Sequence, residues 1–276
     1  MQIALIQDQI VPIDELEPVY LDHGLFFGDG VYEVIRSYNG RIFAFDEHLQ
    51  RFSQSLAAIE ITGVDIDWIR SNVLKAFDAA GISNAKIYFH ITRGSGLRNH
   101  VSESLKPNFF LTVTELEDNT KVKTNGIAVS TFPDQRWKRC DIKSLNLLPN
   151  ILARRAAAKK GCDEAVFVNE AGLITEGAGS AFFAIPGRTL QTSPLTANIL
   201  PSITRQFVIN AGKNINLEIV EKSLTLDRAV SSDELFIAVT TRDIVPVIKF
   251  NDTIIGNGKP GKYTKLLIEE FQKFTG

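Results

Sequence analysis

Cysteine is almost absent from this chain: Cys140 and Cys162 are the two among 276 residues. They are too far apart for a redox or zinc pair and too few for a disulfide framework, so the chain suits a reducing compartment. Histidine is scarce too. His23, His48, His90 and His100 have no helical metal spacing, and no metal site is expected. The net charge of -2 offers no basic footprint for nucleic acid or an anionic membrane. No apolar run approaches the roughly 20 residues of a membrane span. The segment Met1–Asp8 lacks the basic start and long apolar stretch of a signal peptide. A cytoplasmic location and a small polar partner molecule remain as the expectation.

Several motifs are missing as well. Gly28-Asp29-Gly30 and Gly94-Ser95-Gly96 lack the third glycine of a dinucleotide fingerprint, and there is neither a Gly-Lys-Ser/Thr phosphate loop nor a Gly-x-Ser-x-Gly elbow. These absences weaken dehydrogenase, nucleotidase, metalloenzyme and hydrolase readings.

What is present reads as an ordinary globular protein, 44% hydrophobic and 22% charged. Residues 31–38 predict a strand, and Asn39-Gly40 turns it into Arg41-Ile42-Phe43. Asp46 is expected to cap a helix running to about Ile59, with Leu49, Phe52, Leu56 and Ile59 on one face. A second helix fits 65–80, ended by Gly81. Strands follow at 87–92 and 109–114. The polar stretch from about 115 to 125 reads as a linker. Beyond it, short strands (127–131, 165–168, 181–185, 217–220, 235–239, 245–250) are interrupted by helices near 149–160, 202–211 and 263–274. There are no repeats.

Three segments could carry chemistry. Asn198 to Arg205 runs from a loop into a helix, where free N–H groups suit a phosphate, although an ordinary capped helix has the same pattern. Val239-Thr240-Thr241-Arg242 puts hydroxyls at the end of an apolar strand, as a simple turn also does. Thr175-Glu176-Gly177-Ala178-Gly179-Ser180 would let backbone approach a flat ligand, and equally fits a plain loop between strands.

Taken together with Phe27–Val34, Asp46–Arg51, Thr92-Arg93-Gly94 and above all Arg136–Asn146, these segments resemble the fold-type-IV, class IV aminotransferases over nearly the whole chain, and within them the D-amino-acid branch. The resemblance implies an α/β (α+β) fold of two domains: a smaller N-terminal α/β domain (1–118), a linker (119–125) and a larger, barrel-like C-terminal β domain with helices (126–276). It implies pyridoxal 5′-phosphate (PLP) as cofactor, with Lys143 as the Schiff-base lysine. An amine in that role must be neutral, which desolvation favours. Once freed, it would move a proton. Glu176 matches the carboxylate facing the pyridine nitrogen, which lets the ring absorb carbanion charge. Arg51 matches the phosphate-binding arginine; as a plain surface residue it would pair with Glu47 instead. Ile203 and Thr204 match helix-start donors, Thr240 a phosphate hydroxyl, and Leu200 an apolar contact on the ring.

For the substrate, Tyr32 matches a tyrosine that holds the α-carboxylate, and Arg98-Asn99-His100 matches a partner-subunit pair, Arg98 and His100, that does the same. Thr241 is assigned to substrate binding beside them. A homodimer follows, with ping-pong transamination between D-amino acids and 2-oxo acids. Branched-chain aminotransferase, (R)-amine aminotransferase and aminodeoxychorismate lyase are competitors in the class, and a non-catalytic PLP carrier lies outside it. Two departures stand out. Ala178-Gly179-Ser180-Ala181 replaces a serine-rich run, and Arg242 replaces a small polar residue. If Arg242 reaches the pocket, it would favour a second substrate carboxylate.

Overall fold

The computed structural model describes residues 2–102, 105–117 and 119–276; Met1 and the expected domain edge at residue 118 lie outside them. A hairpin, β1 (Ile3–Ile6) and β2 (Gln9–Pro12), precedes a short helix, α1 (His23–Phe27). Strands β3 (Gly30–Tyr38), β4 (Arg41–Ile42), β5 (Ala85–Thr92) and β6 (Asn108–Glu115) form an antiparallel sheet in the order β4-β3-β5-β6. Helices α2 (Phe45–Ala58) and α3 (Ile66–Ala80) cover one face. Alternation dictates that face: Val31, Ile35, Ile87, Phe89 and Ile91 point to Leu49, Phe52, Ile69 and Val73. Tyr32, Val34, Arg36 and Tyr38 point the other way.

Helix α3 forms as expected, with Asp65 as N-cap accepting from the N–H groups of Asp67 and Trp68, and Gly81 closing it. Helix α2 starts differently. Its N-cap is Ala44, at φ +51° and without a side-chain cap. Asp46 lies inside the first turn, where its charge complements the helix dipole and pairs with Arg70 at 2.5 Å.

The stretch read as a linker contains a helix, α4 (Thr120–Asn125), whose Val122 packs on the larger core. Beyond it come β7 (Ile127–Pro133), α5 (Leu148–Lys159), β8 (Glu164–Val168), β9 (Ile174–Gly177), β10 (Ala181–Ile185), β11 (Thr189–Thr192), α6 (Ile203–Asn214), β12 (Glu218–Glu221), α7 (Leu226–Val230), β13 (Glu234–Val239), β14 (Asp243–Phe250), β15 (Thr253–Ile254) and α8 (Lys262–Thr275). Eight of these strands run in the order β12-β11-β10-β13-β14-β7-β8-β9, with β15 beside β14. Strand β10 supplies both cores by alternation. Phe182 and Ala184 face one with Ile237 and Val245, while Phe183 and Ile185 face the other, under α6 and α8. Phe183 stacks on Phe236 with ring centres 4.8 Å apart.

Candidate active site

Lys143 is held by backbone pairing rather than by a helix or strand of its own. Its carbonyl accepts from Tyr32 N–H, and Leu145 N–H donates to the Gly30 carbonyl, both at 3.0 Å. The segment is thus clipped antiparallel onto the start of β3. That contact demands glycine. A Cβ on Gly30 would lie 2.6 Å from the Ile91 carbonyl, and Gly28 sits at φ +65° against Asn146. Lys143 Nζ lies 4.2 Å from the centre of the Tyr32 ring. Among the described residues it makes no hydrogen bond or ion pair.

A cavity of about 590 Å³ opens around this amine. Seven expected residues line it: Lys143, Glu176, Arg51, Leu200, Tyr32, Thr240 and Thr241. They come from β3, α2, β9, the loop before α6 and the turn after β13. Glu176 lies within β9 and not in a plain loop between strands, the alternative that its segment also fits. It is buried. Burial pushes its carboxyl above the ordinary value, against the opposing pull of Arg136. Its Oε1 accepts from Arg136 Nη1 at 2.5 Å and from Leu200 N–H at 3.1 Å, while Oε2 has no protein partner among the described residues. A buried carboxylate with one oxygen pinned and the other open to a cavity fits a protonated heteroaromatic nitrogen.

Arg51 stands at another corner. Its Nε and Nη2 donate to the two oxygens of Glu33, each at 2.7 Å, and Nη1 donates to the Pro201 carbonyl at 2.9 Å. The pairing with Glu47 weighed for a surface arginine does not form. Nη2 also approaches His48 Nδ1 at 3.5 Å, and the second N–H of Nη1 remains for an anion. Beside it α6 begins. Ser202 caps it by accepting from Arg205 N–H, and the first-turn N–H groups of Ile203 and Thr204 have no intrahelical acceptor. Ile203 and Thr204 are buried and do not line the cavity by side chain; Ser202 does. Arg51, this helix start and Thr240 together suit a phosphate.

Arg98 and His100 are not brought into this cavity. Both are exposed and pack on Phe27, the guanidinium 4.9 Å and the imidazole 5.1 Å from the ring centre. His100 lines a smaller hollow of about 300 Å³ that shares Trp137, Ser144 and Asn146 with the main one. Arg242 does not line the cavity either. It lies 3.9 Å from Glu164, a buried carboxylate that also takes Arg154 and the Ser180 hydroxyl. The side chain of Ser180 therefore turns to Glu164 although the residue lines the cavity wall.

Two residues essential to this geometry had not been singled out. Arg136, its side chain 7% exposed, is forked onto Asp134 and placed 4.6 Å from the centre of the Phe167 ring. Glu33 is fully buried under Arg51 and His48. Its signal was available: β3 reads Val31, Glu33, Ile35, Ser37 on its inward face, and a carboxylate there requires a partner. Cys140 lines the cavity, and burial pushes its thiol up to about 11, so it is a weak nucleophile.

The profile described as Amino-transferase class IV matches residues 30–250. D-alanine aminotransferase of Bacillus licheniformis is 36% identical over 249 residues, covering 88% of this chain and 87% of that one. The branched-chain amino acid aminotransferase of Escherichia coli superposes with TM-score 0.87 at 23% identity, covering 96% and 92% of the two chains. A PLP-bound hypothetical aminotransferase of Mycobacterium tuberculosis superposes with TM-score 0.84 at 18% identity, covering 97% and 96%. The fold expected from sequence is therefore correct, and the chain belongs to the class IV aminotransferase family.

Proposed function

We propose that this enzyme moves amino groups between D-amino acids and 2-oxo acids, using PLP seated on Lys143. The observation that carries the reading is the pairing of opposite walls. A cavity-facing amine that among the described residues lies on the Tyr32 ring and makes no hydrogen bond or ion pair stands in the same cavity as a buried carboxylate with one oxygen open. The cofactor supplies an electron sink for the substrate's Cα carbanion. Lys143 binds it through Nζ and, once free, takes the Cα proton and returns one. Glu176, as a carboxylate, would keep the proton on the pyridine nitrogen. Arg51, the Ile203 and Thr204 N–H groups and the Thr240 hydroxyl bind the phosphate. Leu200 would pack on the ring, and Thr241 and Tyr32, which line the same cavity, would bind the substrate. The relative of Bacillus licheniformis supports the choice of D-amino acids.

The reading includes a homodimer. Arg98 and His100 do not line their own cavity and lie on a loop with exposed Leu97 and Val101, and the proposal is that they reach the partner's site. A cytoplasmic location and domains split at 119–125 belong to the same reading. Among the described residues no helix is long and apolar enough to cross a membrane.

The test is borohydride reduction of the PLP-loaded enzyme, then digestion. A pyridoxyl group on Lys143, and turnover with D-alanine but not L-leucine or (R)-phenylethylamine, are expected. A tag on another lysine ends the site assignment, and turnover with L-leucine alone ends the substrate assignment.

A further inference from the structure

The face of β3 that looks away from α2 and α3 does two jobs. Tyr32 and Val34 line the cavity. Two and four residues on, Arg36 and Tyr38 point the same way but converge on one carboxylate, Asp243. Arg36 Nη1 donates to Oδ1 at 2.7 Å and the Tyr38 hydroxyl donates to the same oxygen at 2.5 Å. Lys123 Nζ, from α4, donates to Oδ2 at 2.5 Å. The Arg36 guanidinium lies 4.0 Å from the centre of the Tyr38 ring. Asp243 is buried and gathers donors from two elements distant in sequence.

Asp243 closes the turn that carries Thr240 and Thr241. Val239 pairs with Asp243 across the β13–β14 hairpin, and Arg242 N–H donates to the Val239 carbonyl at 3.1 Å. Asp243 sits at φ +57°, a conformation that asparagine and aspartate adopt more readily than other side chains. A second tie comes from Asn119, whose Nδ2 donates to the Thr241 carbonyl at 3.1 Å. The turn is thus fastened from outside the cavity, by β3 and by the segment joining the two sheets.

We infer that Asp243 is a positioning residue for this site: it locks the Thr240–Thr241 turn against the Tyr32–Val34 face and so fixes the distance between the two cavity walls that grip cofactor and substrate. The inference rests on the cofactor-site reading above. The ties lie outside the cavity, so their loss loosens binding in ground and transition states alike, which raises KM more than it lowers kcat.

The experiment titrates full-length wild-type and Asp243→Asn protein with PLP, following fluorescence of Trp137 in the cavity wall, and measures KM and kcat for D-alanine. Asparagine tolerates the backbone angle and keeps one acceptor but loses the charge. The cofactor Kd and KM are expected to rise about tenfold or more, with kcat changed less than about threefold. Tyr38→Phe and Lys123→Met, which leave the carboxylate in place, should give smaller shifts of the same sign; they carry the test if Asp243→Asn does not fold. Ile69→Val, in the core between the small sheet and its helices, should lower Tm and move neither constant. Unchanged Kd and KM in Asp243→Asn overturn the inference, as do unchanged values in both single-donor variants if Asp243→Asn is insoluble. Equal shifts in Ile69→Val also overturn it, because they reduce the effect to stability. If wild type binds PLP normally, these outcomes leave the cofactor reading standing. A wild type that binds no PLP overturns both.

Discussion

Arg136 Nη1 meets Glu176 Oε1 at 2.5 Å, while Nε and Nη2 of the same guanidinium fork onto Asp134. Burial raises the Glu176 carboxyl, and Arg136 is the largest influence pulling it back. Arg136→Gln removes that cation, so Glu176 holds a proton to higher pH and cannot pair with a protonated ring nitrogen. A loss of about 100-fold in kcat at neutral pH is expected, as for other electrostatic groups at reacting centres. Glu176 has to be ionised, so the acidic limb of the pH–rate profile should move to higher pH and part of the activity should return there. A loss of the same size at every pH contradicts this account.

The Glu33 cluster predicts how the fold responds to acid. Burial on its own raises the Glu33 carboxyl, but Arg51 and His48 override it and lower the pKa from 4.5 to about 2. A carboxylate depressed in the folded state stabilises it fully above the unfolded value, and that stability is lost as pH falls through the folded value. The window is therefore about pH 4.5 down to 2. Its size is on the order of 3 kcal/mol. Denaturant melts of Glu33→Gln should show a loss of comparable size at pH 7, because Arg51 keeps a buried charge without its counter-ion, and a shallower decline below pH 4.5. An acid slope equal to wild type in that variant would remove Glu33 from the explanation.

Much of this was legible in the chain because it depends on local rules. Asp65 and Gly81 bounded α3 by capping chemistry, and alternation in β3 and β10 gave their two faces. Local rules failed where tertiary contacts decide. Ala44 adopts a left-handed angle to start α2, which no cap residue announces. The polar run before Gly126 folds as α4 because Val122 and Lys123 find a core and a carboxylate on a distant sheet. Glu176 fits a loop by local rules, since Ile174–Gly177 is a strand of only four residues that pairs with β8 across a register shift between Val166 and Val168. Arg136 was hidden for a similar reason. Its role depends on Asp134 and on Glu176, which lies forty residues further along the chain from it.

Arg242 gives a prediction of little change. Sequence left open whether it reaches the substrate, and its guanidinium lies beside Glu164, off the cavity wall. Arg242→Gln should leave the ratio of kcat/KM for D-glutamate to that for D-alanine within about twofold of wild type. A selective fall of about tenfold or more for D-glutamate would place the side chain in the substrate's path.

The placement of Arg98 gives a test that separates action within a chain from action across a dimer. Arg98 packs on Phe27 of its own chain, outside the cavity that holds its own Lys143. If it binds the α-carboxylate in the partner's site, each active site combines Lys143 from one chain with Arg98 from the other. Arg98→Ala and Lys143→Ala homodimers should both be nearly inactive. Unfolded together in equal amounts and refolded, half the dimers are mixed, and each mixed dimer has one intact site made from the two undamaged residues. About one quarter of wild-type activity should return. If Arg98 serves its own chain, no combination restores an intact site and the mixture stays as inactive as its parents. Size-exclusion chromatography of the refolded mixture must show dimers; a monomer with full wild-type activity would sink the shared site before the mixing is done.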